Sequence, residues 1–179
     1  MKAQKIKQLK LKQARYDALS IAQYLMTLDP ERKYFVNSRM RINETSISAP
    51  KIGNVRLNNL LYLCQIFYYL QHKQLLFNEE LLAFEHGPIV YSVYNNFWNL
   101  YYDTSSDVAK LDARTKKFLH SWFNYFQEYS TEELLAIARE DPAWFSTWQK
   151  NEDPRIDFTS PKRLNFYEKY FTNYLESTN

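Results

Sequence analysis

The chain has 179 residues, 45% of them hydrophobic and 17% aromatic, which is enough for one domain with a substantial core. Two glycines, Gly53 and Gly87, leave no Gly-rich phosphate loop or dinucleotide-binding turn and point to helices, and the single cysteine, Cys64, excludes an internal disulfide and any multi-cysteine zinc site. The net charge of +3 divides into +8 over residues 1–56, where 12 Lys or Arg face 4 Asp or Glu, and −5 over residues 57–179, where 11 face 16.

Residues 1–15 form a basic N-terminal arm carrying Lys2, Lys5, Lys7, Lys10, Lys12 and Arg15 without an acid. Such a run favours an acidic partner or nucleic acid, and is equally what a solvated helical arm looks like. Ile6, Leu9, Gln13, Tyr16, Leu19, Ala22 and Leu25 recur at helical spacing, which predicts one helix from Lys2 to Met26, ended by Asp29-Pro30. Glu31 to Asn54 has no sustained apolar period and reads as an insertion-like loop.

From Arg56 to Gln71 the set Leu57, Leu60, Leu61, Cys64, Phe67 and Tyr68 follows three-and-four spacing, with Tyr62, Ile66 and Tyr69 widening the stripe, so this is a central, deeply packed helix. The apolar groups at Leu75–Phe77 and Leu81–Phe84 flank Asn78-Glu79-Glu80 and predict a short hairpin, without a glycine at that turn. Gly87-Pro88 reads as a helix entry, with Ile89 to Leu100 continuing as a ring-rich helix.

After a polar loop at Asp103–Asp107, Asp112 is placed to cap a helix with Phe118, Leu119, Trp122, Phe123 and Phe126 on one face. Ser130-Thr131-Glu132-Glu133 spells a capping box, in which the serine oxygen takes a backbone N–H and Glu133 reaches back. Asp141-Pro142 and Ser160-Pro161 repeat the cap-then-proline signal, opening one helix with Trp144, Phe145 and Trp148 and another with Leu164, Tyr167, Phe171 and Leu175. The fold class is therefore mainly α: a compact helical single domain over residues 16–179, with a short β-hairpin near residues 75–86.

Chemistry is sparsely signalled. His72, His86 and His120 lie in separate segments, and none has the two-histidine spacing of a metal helix, so no metal and no cofactor are expected. Glu85-His86 pairs a carboxylate with an imidazole, but neighbours in sequence seldom share a face and no nucleophile accompanies them; a turn held by Glu85, topped by His86 and shaped by Gly87 and Pro88 is the simpler reading. Most rings sit on helical stripes and belong to a core, whereas the row Tyr91, Tyr94, Tyr101 and Tyr102 also suits a protein interface. No apolar run of about 18 residues occurs, and the lysine-studded start is unlike a secretory signal, so the expected location is the cytoplasm with no membrane partner.

Two segments resemble a known family. Val55-Arg56-Leu57-Asn58-Asn59-Leu60-Leu61-Tyr62 is similar to the first helical motif of the Panacea (SocA-like) antitoxin domain, and Ala83 to Tyr94, through Phe84-Glu85-His86-Gly87-Pro88-Ile89, is similar to its Gly-Pro signature. Tyr129 to Leu134 followed by Asp141-Pro142-Ala143-Trp144 resembles the end of the domain, so the likeness spans about residues 16 to 150 in outline. Arg56 and Asn59 stand where the family pattern has lysines.

The resemblance implies a compact helical domain of phage-associated and toxin-antitoxin loci. Such a domain neutralises a cognate toxin encoded nearby by direct, non-catalytic binding, or delivers it to a protease. The partner-binding residues it implies are Arg56, Glu85, His86, Tyr91 and Tyr94, with Gly87 and Pro88 shaping the motif. The alternative reading is a nucleic-acid-binding accessory or phage-associated regulatory protein using residues 1–15, and a third is an enzyme of unknown reaction.

Overall fold

The computed structural model describes residues 13–31, 33–35, 52–96, 110–150, 152–157, 165–170 and 172. The described helices are α1 (Ala18–Thr27), α2 (Ile52–His72), α3 (Tyr91–Asn96), α4 (Ala113–Phe126), α5 (Thr131–Glu140), α6 (Pro142–Lys150) and α7 over residues 165–170. A two-stranded antiparallel hairpin, β1 (Leu82–Phe84) and β2 (Gly87–Ile89), lies between α2 and α3. The mainly α expectation with one short hairpin therefore holds.

Helix α2 is the axis of the molecule. Every residue from Leu57 to Tyr69 is buried, because α1, α3, α4, α5 and β2 all pack on it. Its apolar surface meets a ring cluster in which Phe67 stacks on Trp122 at 4.1 Å and 11°, Phe126 lies 5.6 Å beyond Trp122, and Tyr167 of α7 sets its edge 5.8 Å from Phe67. Such offset and edge-on pairs add about 0.5–1.5 kcal/mol each beyond the area they bury.

The caps of α4 and α5 form as the sequence spells them. Asp112 accepts the Thr115 N–H at 2.8 Å, while Ser130 accepts the Glu133 N–H at 3.1 Å and Glu133 returns to the Ser130 N–H at 2.7 Å. Each satisfies a backbone donor that a helix start leaves without an intrahelical partner. On α4 the predicted stripe Phe118, Leu119, Trp122, Phe123 and Phe126 is the buried face. Asp141 opens α6 with its carboxylate on Ala143 N at 2.7 Å, and it also accepts the buried Tyr62 hydroxyl.

Three expectations change. The single helix expected from Lys2 to Met26 is broken over residues 13–17, and α1 begins at Ala18, with Asp17 accepting Ser20 N at 2.7 Å and Glu79 accepting Ala18 N at 2.8 Å. The chain before it lies alongside the segment after α2, with Ala14 and Asn78 exchanging backbone-to-side-chain hydrogen bonds and Tyr16 bridged in parallel to Phe77. These side chains offer the backbone partners that continued helix would have supplied from within. Residues 1–12 lie outside the described residues.

Secondly, α2 starts at Ile52, so the loop assigned to 31–54 yields its last three residues to the helix. Before it, the Asp29 carboxylate gathers the N–H groups of Lys33, Tyr34 and Phe35 at 2.7–2.9 Å; residues 36–51 lie outside the described residues.

Thirdly, the hairpin turns at Glu85-His86 rather than at Asn78–Glu80, and Pro88 belongs to β2 rather than to a helix entry. Residues 76 and 77 are held instead by Gln65, whose Oε1 accepts both N–H groups at 2.8 and 3.2 Å. A proline is tolerated in β2 because it stands opposite Ala83, whose own N–H points outward to the Pro154 carbonyl at 2.7 Å. That position of an antiparallel ladder exchanges no hydrogen bond, so the missing N–H costs nothing there. The ring-rich helix consequently begins at Tyr91 and is described to Asn96. The loop expected at Asp103–Asp107, and the helix start at Ser160-Pro161, lie outside the described residues.

Candidate functional site

The two segments that carry the family resemblance pack on each other. Asn58 of α2 accepts the Val90 N–H at 2.9 Å and donates to the Asn54 side chain and carbonyl at 2.7 and 3.0 Å. Asn54 in turn donates to the Tyr94 carbonyl at 2.9 Å. These buried amides tie both the exit of the hairpin and the first turn of α3 to the central helix, with their hydrogen-bonding capacity used inside the fold.

Gly87 sits where the hairpin meets α2 and α5, at φ +100. A Cβ there would lie 2.7 Å from Leu135 Cδ1 and 2.8 Å from Asn59 Oδ1, so both the backbone angle and the space call for glycine. The glycine that the hairpin turn requires is thus present just past Glu85-His86. Arg139 of α5 adds a further tie, donating from Nη2 to the Glu85 carbonyl at 2.5 Å.

On this fixed frame stand exposed rings. Phe84, Phe145 and Trp148 are 39%, 50% and 40% exposed, although large apolar side chains gain most by burial. Trp148 stacks on Trp144 at 5.9 Å and 10°, and Trp144 is itself buried, so the exposed indole rests on the core. Two clefts meet at Trp148. One, of about 340 Å³, is lined by Ala83, Phe84, Glu85, Thr147, Trp148, Glu152 and Pro154. The other, of about 580 Å³, is lined by Glu85, Ala136, Arg139, Glu140, Trp144, Phe145 and Trp148.

The candidate residues fall into three environments. Glu85 borders both clefts, whereas His86 is exposed at the tip of the turn and Tyr91 is exposed at the start of α3, neither lining a cleft around Trp148. Tyr94 is half-buried, with its ring 6.5 Å from Phe84 and its phenol pushed up by burial. Arg56 faces another side altogether. Its guanidinium donates to the Tyr129 carbonyl at 2.5 Å and Thr131 Oγ1 at 3.2 Å, and lies 3.6 Å over the Tyr34 ring. It clasps the α4–α5 connection, beside a cleft of about 630 Å³ that also includes Asp29, Lys33 and Glu133. Pro88 is buried within β2.

Sequence reasoning missed Phe84, Phe145 and Trp148. The signal was the pair Phe145 and Trp148 beside Trp144, since a nine-residue helix with three large rings presents more apolar arc than one neighbour covers.

Cys64 is fully buried and its thiol is pushed up by that burial. His72 packs between Tyr68 and Phe118, and His120 is exposed on α4. Among the described residues no three His, Cys, Asp or Glu side chains converge as metal ligands, and no helix is long and apolar enough to cross a membrane. Arg15, at the end of the basic arm, pairs with Asp112 at 3.0 Å. Comparison with family models, with curated proteins and with solved structures finds no match.

Proposed function

We propose that this chain is an antitoxin-like interaction module of the cytoplasm, a non-catalytic protein that neutralises a toxin encoded nearby by covering its working surface. The observation that carries the reading is the group of exposed rings, Phe84, Phe145 and Trp148, held around Glu85 on a frame tied by the buried amides of Asn54 and Asn58. Solvent-exposed aromatic anchors on a preset scaffold are what protein interfaces use, since little ordering entropy remains to be lost on binding. The Panacea-like segments support it, because Arg56–Tyr62 and Ala83–Tyr94 form the helix and hairpin that build this frame.

The test is genetic and biochemical together. The product of the neighbouring gene, expressed alone, is expected to arrest growth; co-expression of this chain restores growth, and the two proteins co-elute as a complex. A non-toxic neighbour, or a toxic one that this chain neither binds nor counteracts, refutes the reading. Loss of the toxin's abundance only in protease-proficient cells identifies delivery to a protease in place of occlusion.

The run of six cations without an acid in the first sixteen residues favours a second reading, nucleic-acid binding through the arm. Its signature is binding to a duplex probe that falls steeply with salt and disappears when residues 1–15 are removed.

A further inference from the structure

We infer that the surface on either side of Trp148 receives a cationic segment of the partner protein, in which an apolar side chain enters the clefts and flanking Lys or Arg residues meet Glu85, Glu140 and Glu152. This rests on the interaction-module reading above and specifies the chemistry of its partner.

Charge makes the choice. The two clefts bring three carboxylates, Glu85, Glu140 and Glu152, around the rings against a single cation, Arg139. All three acidic residues are exposed, and none joins an ion pair among the described residues. Arg139 is directed at the Glu85 carbonyl, so it ties the hairpin while its charge only partly offsets the rim. Glu152 also borders a cleft with Lys150 and Arg155, but Asp153 and Asp157 line the same cleft and Arg155 is engaged by Asp153 and Glu80, so the balance there stays acidic. An acidic rim around half-exposed rings repels phosphates and acidic peptides and attracts ammonium and guanidinium groups, which also bind over aromatic faces.

The geometry suits a wedge. Phe84 and Phe145 stand in separate clefts, and Trp148 forms a wall common to both, so an apolar side chain inserted beside it would cover indole surface that the Trp144 stack leaves open. The walls are already fixed by the Trp144–Trp148 stack, by the Arg139 tie and by hydrogen bonds from Ala83 N to Pro154 O and from Ile156 N to Leu81 O. A preset pocket loses little freedom when filled.

The experiment uses the full chain and the neighbouring gene's product as the probe, with affinity measured by titration calorimetry and self-association by light scattering. Three variants are compared: Trp148→Ala, the triple reversal Glu85→Lys/Glu140→Lys/Glu152→Lys, and a control reversal Glu132→Lys/Glu168→Lys at exposed sites away from the clefts. The triple reversal is expected to weaken binding by roughly 30-fold or more, and Trp148→Ala by about 10-fold. The control stays within about two-fold, and all variants keep the wild-type melting temperature to within a few degrees. Should Trp148→Ala lower stability, Phe145→Ser serves as the second variant.

Raising salt from about 0.05 to about 0.3 M weakens the wild-type complex and leaves the triple-reversal complex nearly unchanged. Lys or Arg to Glu changes in the partner recover part of the loss in the triple reversal. If the wild type binds and rescues growth while the triple reversal binds equally well, the inference is wrong and the functional reading stands. If the wild type does not bind the probe, both fail. A wild type that self-associates and is made monomeric by these variants assigns the surface to a second copy, which overturns the inference.

Discussion

The side-chain oxygen of Asn58 accepts the backbone N–H of Val90 at 2.9 Å, across 32 residues of sequence, and both groups are buried. Replacing Asn58 with Ala strands that N–H and the Asn54 Oδ1 together, while the Asn54 carbonyl keeps its bond within the helix, with an expected loss of about 2–3 kcal/mol. Leu at the same position fills the volume yet leaves the same orphans, so it does not rescue. Chemical denaturation with matched m-values measures the loss, and amide exchange at Val90 accelerates in both variants.

Gly87→Ala meets two obstacles at once: the φ of +100 and the crowding by Leu135 and Asn59. A destabilisation of about 2–3 kcal/mol is expected from denaturant melts. Adding Leu135→Ala relieves only the Leu135 contact and leaves the Asn59 contact and the backbone strain, so the double variant does not return to wild-type stability.

Arg56 distinguishes a clasp from a contact residue. Its loss in Arg56→Ala removes hydrogen bonds to Tyr129 and Thr131 and the cover over Tyr34, and an expected cost of about 2 kcal/mol follows. Arg56→Lys recovers little, because an ammonium lacks the planar fork that reaches both acceptors while lying on the ring. If the residue acts only within the fold, affinity for the partner measured on the folded fraction stays within about two-fold of wild type.

Acid weakens the fold in two stages. Burial against Tyr68 and Phe118 lowers the His72 imidazole below its ordinary 6.5, so the unfolded chain takes up that proton first. The contribution of His72 is therefore complete above pH 6.5 and is lost as pH falls from there through the lowered value. The second stage comes from the caps: the Thr115 N–H holds Asp112 below its ordinary 3.8, and the Ser130 N–H holds Glu133 below 4.5. Their contribution is complete above those values and is lost as pH falls through the lowered ones. Melting temperature against pH is expected to lose its upper slope in His72→Gln and part of its lower slope in Glu133→Gln, which keeps the capping hydrogen bond while removing the titration.

Much of the fold was legible because it is written locally. Asp112, Ser130 and Glu133 each act within one helical turn, and the stripes of α2 and α4 repeat every three or four residues. What escaped is non-local. Asn54 looks like a polar residue at a loop's edge until Tyr94 arrives as its partner, so the expected start of α2 falls too late, and Asn58 within the predicted helix gives no sign of the Val90 N–H it holds. Gly87-Pro88 is compatible with both a helix entry and a strand, and the neighbours Ala83 and Pro154 decide between them. The expected helix is broken over residues 13–17 because Asn78 and Glu79, more than sixty residues on, supply the competing partners. Of the candidate site, Glu85 was found from its motif, while the rings beside it became visible only once α6 was seen against the hairpin.

The outward donor of β1 is already taken, since Ala83 N–H is spent on Pro154, and the residue facing it across the hairpin, Pro88, has no donor to give. The hairpin therefore cannot recruit another polypeptide as an added strand through these positions. Whatever settles against this face must be read by its side chains, which leaves the visitor free to be a helix, a loop or an extended stretch. A surface of that kind places demands on a partner's charge and ring-filling groups while placing few on its fold.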